Sequence, residues 1–128
     1  MRITLNSIFV PDQDSALHFY TEVLGFSLKI DLPIGDFRWL TVVSPDDPDG
    51  TQLVLEPNAH PAAAAYQQAL HKDGIPLTSF AVGDIESEHK RLLERGVVFK
   101  MGPTDMGGTK LAVFDDTCGN FIQIYQES

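Results

Sequence analysis

The sequence predicts an α+β fold in which two βαβββ repeats form a curved mixed sheet around a central cup. Three observations predict it. Strand-like and helix-like stretches run in the order strand, helix, three strands, and that order then returns. The stretch Val10-Pro11-Asp12-x-Asp14-Ser15 matches Val82-Gly83-Asp84-x-Glu86-Ser87 at an offset of 72 residues. Each helical stretch then stops at a glycine, Gly25 or Gly96, followed by an apolar strand. One such unit has a sheet with a single helix and an uncovered face, and two units side by side can enclose a ligand cavity.

The elements follow in order. Ile3–Val10 is β-branched and apolar and reads as a strand. In "PDQDSALHFYTEVLGF" Asp12 is the expected N-cap, Ala16, Phe19, Tyr20, Val23 and Leu24 recur at helical spacing, and Gly25 supplies the left-handed stop. Strands are expected at Phe26–Leu32, Phe37–Val43 and Gln52–Leu55, with "SPDDPDG" as the turn before the last of them. "HPAAAAYQQALHKDG" reads as a helix with Pro61 near its first position and Gly74 beyond its end. Having few large apolar residues, it is expected on the surface as a connector. Pro76–Val82 begins the second repeat, followed by a helix capped by Asp84 and stopped by Gly96. Strands at Val97–Met101, Thr109–Phe114 and Phe121–Tyr125 complete it. The expected organisation is one domain, 1–128, made of a first module 1–57, a connector helix 58–75 and a second module 76–128.

Composition limits the function classes. The chain has 128 residues, 43% apolar and 21% charged, which suits one globular domain. No apolar run approaches the roughly 18 residues of a membrane span, and no basic stretch followed by an apolar block opens the chain, so the cytoplasm is the expected location. A net charge of −9 opposes binding to nucleic acids and anionic membranes and is compatible with a cationic ligand. Cys118 is the single cysteine, which excludes an internal disulfide and a thiolate zinc cluster; it reads as a small turn residue before Gly119. The four histidines, His18, His60, His71 and His89, fall on helices or their edges rather than on strands. "DDPD" before Gly50 lacks the ligand spacing of a calcium loop. "GPTDMGGTK" leads into a strand, lacks the helix N-terminus of a phosphate cradle, and reads as a flexible loop over the cup mouth or a plain turn.

Two stretches carry a family resemblance. "FVPDQDSALHFYTEVLGF" (Phe9–Phe26) resembles the V-x-D-x-x-x-A-x-x-F-Y-x-x-x-L-G-F signature of the vicinal oxygen chelate superfamily, which includes glyoxalase I, bleomycin-resistance proteins and extradiol dioxygenases. "AVFDDTCGNFIQIYQ" (Ala112–Gln126) resembles its closing D-P-x-G-N-x-x-E pattern. With the repeat, the resemblance spans essentially the whole chain. It implies a divalent metal held by His and Glu from four strands, with open positions for two neighbouring substrate oxygens. Carried across, those ligand positions fall on Leu5, Val54, Leu77 and Gln123. Three are aliphatic and only Gln123 has a donor atom. A one-residue slip would bring Asn6 and Thr78 inward, neither of them a strong metal ligand. Glu56 shares a face with Val54 and could join Gln123 only as a two-ligand remnant. The expectation is therefore no metal and no other cofactor.

Strand alternation supplies the rest of the expected ligand-binding lining. Leu5, Ser7 and Phe9 share one face, with Leu77, Ser79 and Ala81 as their repeat counterparts; Gln52, Val54 and Glu56 share another, as do Phe121, Gln123 and Tyr125. Phe37 and Trp39 lie on a wall strand. An aromatic wall with a few amides and hydroxyls suits a planar or cationic organic ligand. The preferred expectation is a metal-free small-molecule binding protein resembling the bleomycin-resistance branch, which implies a homodimer. The alternatives are a metal-dependent glyoxalase-like lyase, isomerase or dioxygenase with nonstandard ligands around Glu56 and Gln123, and an interaction scaffold with a filled cup. No residue is singled out as catalytic.

Overall fold

The structure, a computed structural model, describes residues 1–127; Ser128, the last residue of the expected second module, lies outside them. The chain divides into two compact units, Met1–Ala65 and Tyr66–Ser128.

In the first unit β1 (Leu5–Val10) leads into α1 (Gln13–His18), which continues as one π-helical turn, Phe19–Val23. Strands β2 (Ser27–Ile34), β3 (Phe37–Val43) and β4 (Gln52–Pro57) follow. The sheet order is β1-β4-β3-β2, with β1 parallel to β4 and the other pairs antiparallel. Asp12 caps α1 by accepting from the Ser15 amide, as its residue type predicts. The change to π geometry shows where Leu24 N–H donates to Phe19 O, five residues back, at 2.9 Å. Gly25, at φ +97°, then turns the chain into β2.

Alternation divides the sheet into two faces. Ile8, Val10, Leu40, Val42 and Leu55 are buried, together with Ala16, Phe19 and Tyr20 of the helical segment. Burying a side chain of this size contributes about 1.5–3 kcal/mol before entropy is subtracted. Gln13 is the polar exception. Its amide nitrogen donates to Arg38 O and Leu55 O, and its oxygen accepts from Arg38 N–H, so α1 is pinned to both β3 and β4. The Arg38 guanidinium meets Asp14 of α1 and Asp31 of β2, and it holds the Asp31 carboxyl below the usual carboxylate range.

Helix α2 (Pro61–Lys72) begins in the first unit and ends in the second, where β5 (Thr78–Val82), α3 (Ile85–Glu94), β6 (Phe99–Asp105), β7 (Lys110–Asp115) and β8 (Phe121–Gln126) follow. Sheet order repeats as β5-β8-β7-β6, with β5 parallel to β8. Asp84 caps α3 by accepting from the Ser87 amide, the counterpart of Asp12 and Ser15. Ile85, Leu92, Val97, Ala112, Phe114, Ile122 and Ile124 form this unit's core.

The strand ends depart from expectation by up to four residues, most at β6. Gly102–Asp105, expected in a loop, belong to this strand, and only Met106–Thr109 turn the chain into β7. β6 is an edge strand with two register irregularities, where Gly102 and Pro103 are accommodated without loss of an inner ladder.

Candidate functional site: the open sheet faces

In the first unit, the face opposite the buried helix carries the expected lining residues in cross-strand rows. Leu5 pairs with Gln52, Ser7 with Val54 and Phe9 with Glu56. Val54 pairs onward with Thr41, and Thr41 with Ile30. Two residues beyond Thr41, on the same side of β3, Trp39 pairs with Leu32. One row therefore reads Ser7, Val54, Thr41, Ile30; beyond it Phe9 and Glu56 pair on β1 and β4, and Trp39 and Leu32 pair on β3 and β2. The face is apolar at its β2–β3 end, where Leu32, Ile34 and Phe37 are 57%, 59% and 45% exposed.

Polar groups on this face are joined in pairs. The Ser7 hydroxyl donates to Glu56 Oε1 at 3.2 Å. The Thr41 hydroxyl, on a fully buried residue, donates to Gln52 Oε1 at 2.7 Å. Thr41 was not among the expected lining residues. Its place on the odd-numbered face of β3, between Phe37, Trp39 and Val43, is the signal that locates it.

In the second unit Ser79 pairs with Gln123, Gln123 with Val113, and Val113 with Met101. The next row is Ala81, Tyr125, Leu111 and Thr104. Gln123 Nε2 donates to Ser79 Oγ at 3.0 Å. Leu77 lies just before β5, its amide donating to Phe121 O at 2.8 Å.

Gln123 is held by the turn before it. Asp116 is buried, and its carboxylate accepts from the Cys118 amide, the Asn120 amide and Asn120 Nδ2 at 2.7–3.0 Å. Gln67 of α2, also buried, donates to Cys118 O and Asn120 Oδ1. Gly119, at φ +88°, lies under that amide, and a Cβ there would meet Gln67 Nε2 at 3.0 Å. Cys118 is buried within this turn and forms no disulfide.

The positions that correspond to the metal ligands hold Leu5 and Val54 in the first unit and Leu77 and Gln123 in the second. Aliphatic side chains offer a cation no electron pair, so this donor set does not fit the divalent metal that the resemblance implies. Among the described residues no group of three or more His, Cys, Asp and Glu side chains comes together in a metal-binding arrangement. His18 and His60 are exposed. His71 stacks on Phe121 with centroids 4.4 Å apart, and His89 meets Phe99 edge-on. No helix among the described residues is long and apolar enough to cross a membrane.

Comparison with known proteins fits this geometry. The chain is 60% identical to the uncharacterized protein YurT of Bacillus subtilis (strain 168), over 99% of this chain and 100% of that protein. Among solved structures it is similar to UcmS2, with 34% identity, TM-score 0.84, and coverage of 98% of this chain and 97% of that one. It is also similar to TnmS3, an antibiotic binding protein from Streptomyces sp. CB03234, with 32% identity, TM-score 0.79, and coverage of 100% and 97%. The family model for the Glyoxalase/Bleomycin resistance protein/Dioxygenase superfamily matches residues 2–124. The doubled four-stranded sheet, the two capped helices and these likenesses agree: the chain belongs to that superfamily.

Proposed function

We propose that this protein binds a small organic ligand, planar and with cationic character, on its open sheet faces without a metal, as a homodimer in the cytoplasm. The observation that carries the reading is the makeup of those faces. Aromatic and aliphatic side chains form the ground, and a few oriented amides, hydroxyls and one carboxylate stand on it, the usual makeup of a small-molecule site. On the first unit's face the proposed contacts are Leu5, Ser7, Phe9, Trp39, Gln52 and Glu56, over the buried Val54; on the second unit's face they are Leu77, Ser79, Gln123 and Tyr125. In this reading Gln123 is a hydrogen-bonding group rather than a metal ligand. Likeness to a protein described as antibiotic binding supports a sequestering role over a catalytic one.

A thermal-shift screen of planar cationic, neutral and anionic compounds tests the reading, run beside elemental analysis of the purified protein. Stabilisation by cationic aromatic compounds is the expected result, rising with concentration as linkage requires. Silence across the cationic aromatic set would count against ligand binding. Stoichiometric nickel, zinc, manganese or iron, lost on Gln123→Ala, would replace the metal-free reading with a metalloenzyme.

A further inference from the structure

Glu56 is the one carboxylate in the described cross-strand rows of the first unit's open face, and its surroundings are particular. Its register partner on β1 is Phe9, and on β3 Trp39 shares the face of Thr41, the partner of Val54, so aromatic residues stand on the strands on both sides of β4. All three are half-buried. The Ser7 hydroxyl donates to one carboxylate oxygen, which orients the group and leaves Oε2 for another donor. No lysine, arginine or histidine among the described residues forms an ion pair with it. Asp14, Asp31, Asp49, Glu86, Glu88 and Asp115, by contrast, each have a basic partner.

Such a carboxylate attracts a cation on two counts. It supplies a charge-assisted acceptor, and neighbouring aromatic rings favour positive charge over their faces. In the second unit the same row reads Ala81, Tyr125, Leu111, Thr104 and carries no charge. The cationic preference is therefore local to the first unit. We propose that Glu56 is the specificity-determining residue of the site. It receives a protonated primary or secondary amine on a planar apolar body, with the ammonium between Phe9 and Trp39 and its N–H on Glu56 Oε2. This inference rests on the ligand-binding reading and assigns its charge selectivity to one side chain.

The test uses three probes that share one ring system: 1-naphthylmethylamine, 1-naphthalenemethanol and 1-naphthoic acid. Binding is measured by titration calorimetry, with the emission of Trp39, the single tryptophan in the chain, as the report from this face. The ammonium is expected to bind about tenfold to a hundredfold tighter than the carbinol, the range for a hydrogen bond to a charged group. The acid is expected to bind weakest. Glu56→Gln should erase the gap between ammonium and carbinol. Raising salt on the wild-type protein should weaken the ammonium alone, a measurement that needs no variant. Equal binding of ammonium and carbinol, with Trp39 responding to both, would overturn the role of Glu56 and leave ligand binding standing. Binding of none of the three would also overturn it, and would reach the ligand-binding reading only if the wider thermal-shift screen is silent too.

Discussion

The two units are built on one plan and differ where the plan does not constrain them. Both run strand, helix, three strands, both place the first strand parallel to the last, and both start their helix with an aspartate accepting from a serine amide. The link between the last two strands is different. In the first unit it is the exposed Ser44–Thr51 stretch, rich in aspartate, with two backbone turn bonds. In the second it is the five residues Asp116–Asn120, tied by a buried carboxylate and clamped by Gln67. The faces have diverged as well: Val54 and Glu56 of β4 stand where β8 has Gln123 and Tyr125. A repeat keeps its caps and core because both copies need the same backbone. Its open faces are free to specialise.

Breaking the clamped turn should have the largest effect. Asp116→Ala strands three buried or half-buried donors, at about 1–3 kcal/mol each when unsatisfied, so a loss of at least about 3 kcal/mol is expected by urea denaturation. Asp47→Ala in the exposed link of the first unit should leave the midpoint unchanged. Equal effects would mean that the two links are energetically alike despite their geometry.

The second comparison concerns the residue after each cap. Gln13 in the first unit corresponds to Ile85 in the second. Gln13→Ile would remove partners from Arg38 N–H, Arg38 O and Leu55 O, and a loss of about 2–3 kcal/mol is expected. No change would show that the Gln13 hydrogen bonds add nothing net to how the first helix is held.

The smallest effects belong to the caps. Asp12→Ala and Asp84→Ala should each lower the unfolding midpoint slightly and by similar amounts, since both carboxylates accept from a serine amide at matched positions. The Ser87 amide, followed by the Ser87 hydroxyl, holds the Asp84 carboxyl below its usual range. A folded-state pKa below the unfolded one adds stability that is fully present above the unfolded pKa. That stability is lost as pH falls through the folded value, so the Asp84 contribution should fade below about pH 4. A stability-against-pH curve for Asp84→Asn that falls as steeply as wild type there would refute it.

Much of this was legible from residues alone. The offset of 72 between the capped helices gave the repeat, because a cap is a local signal: one side chain and an amide three residues on. Alternation placed Glu56 with Val54 and Gln123 with Tyr125, and the Ser7–Glu56 and Ser79–Gln123 bonds agree with it. The π-helical turn was not legible, since Ala16, Phe19, Tyr20, Val23 and Leu24 fit an unbroken α-helix equally well. Nor was the Gln67 clamp, which joins residues more than 50 positions apart. Gly102 and Pro103 suggested a loop because they break inner strands, and an edge strand does not exclude them.

The β2–β3 hairpin has a consequence for how the protein behaves in crowded solution. β2 is an edge of its sheet, and Leu28, Leu32 and Ile34 on it are exposed, the composition of a strand that recruits further strands. Pro33 interrupts its row of amide donors, and Lys29 and Asp31 set charge on the same strand. A net charge of −9 adds long-range repulsion between copies, whose reach shrinks from about 10 Å at 0.1 M salt to about 3 Å at 1 M. Colloidal stability should therefore depend on salt, and Pro33 is the local guard that remains when that repulsion is screened.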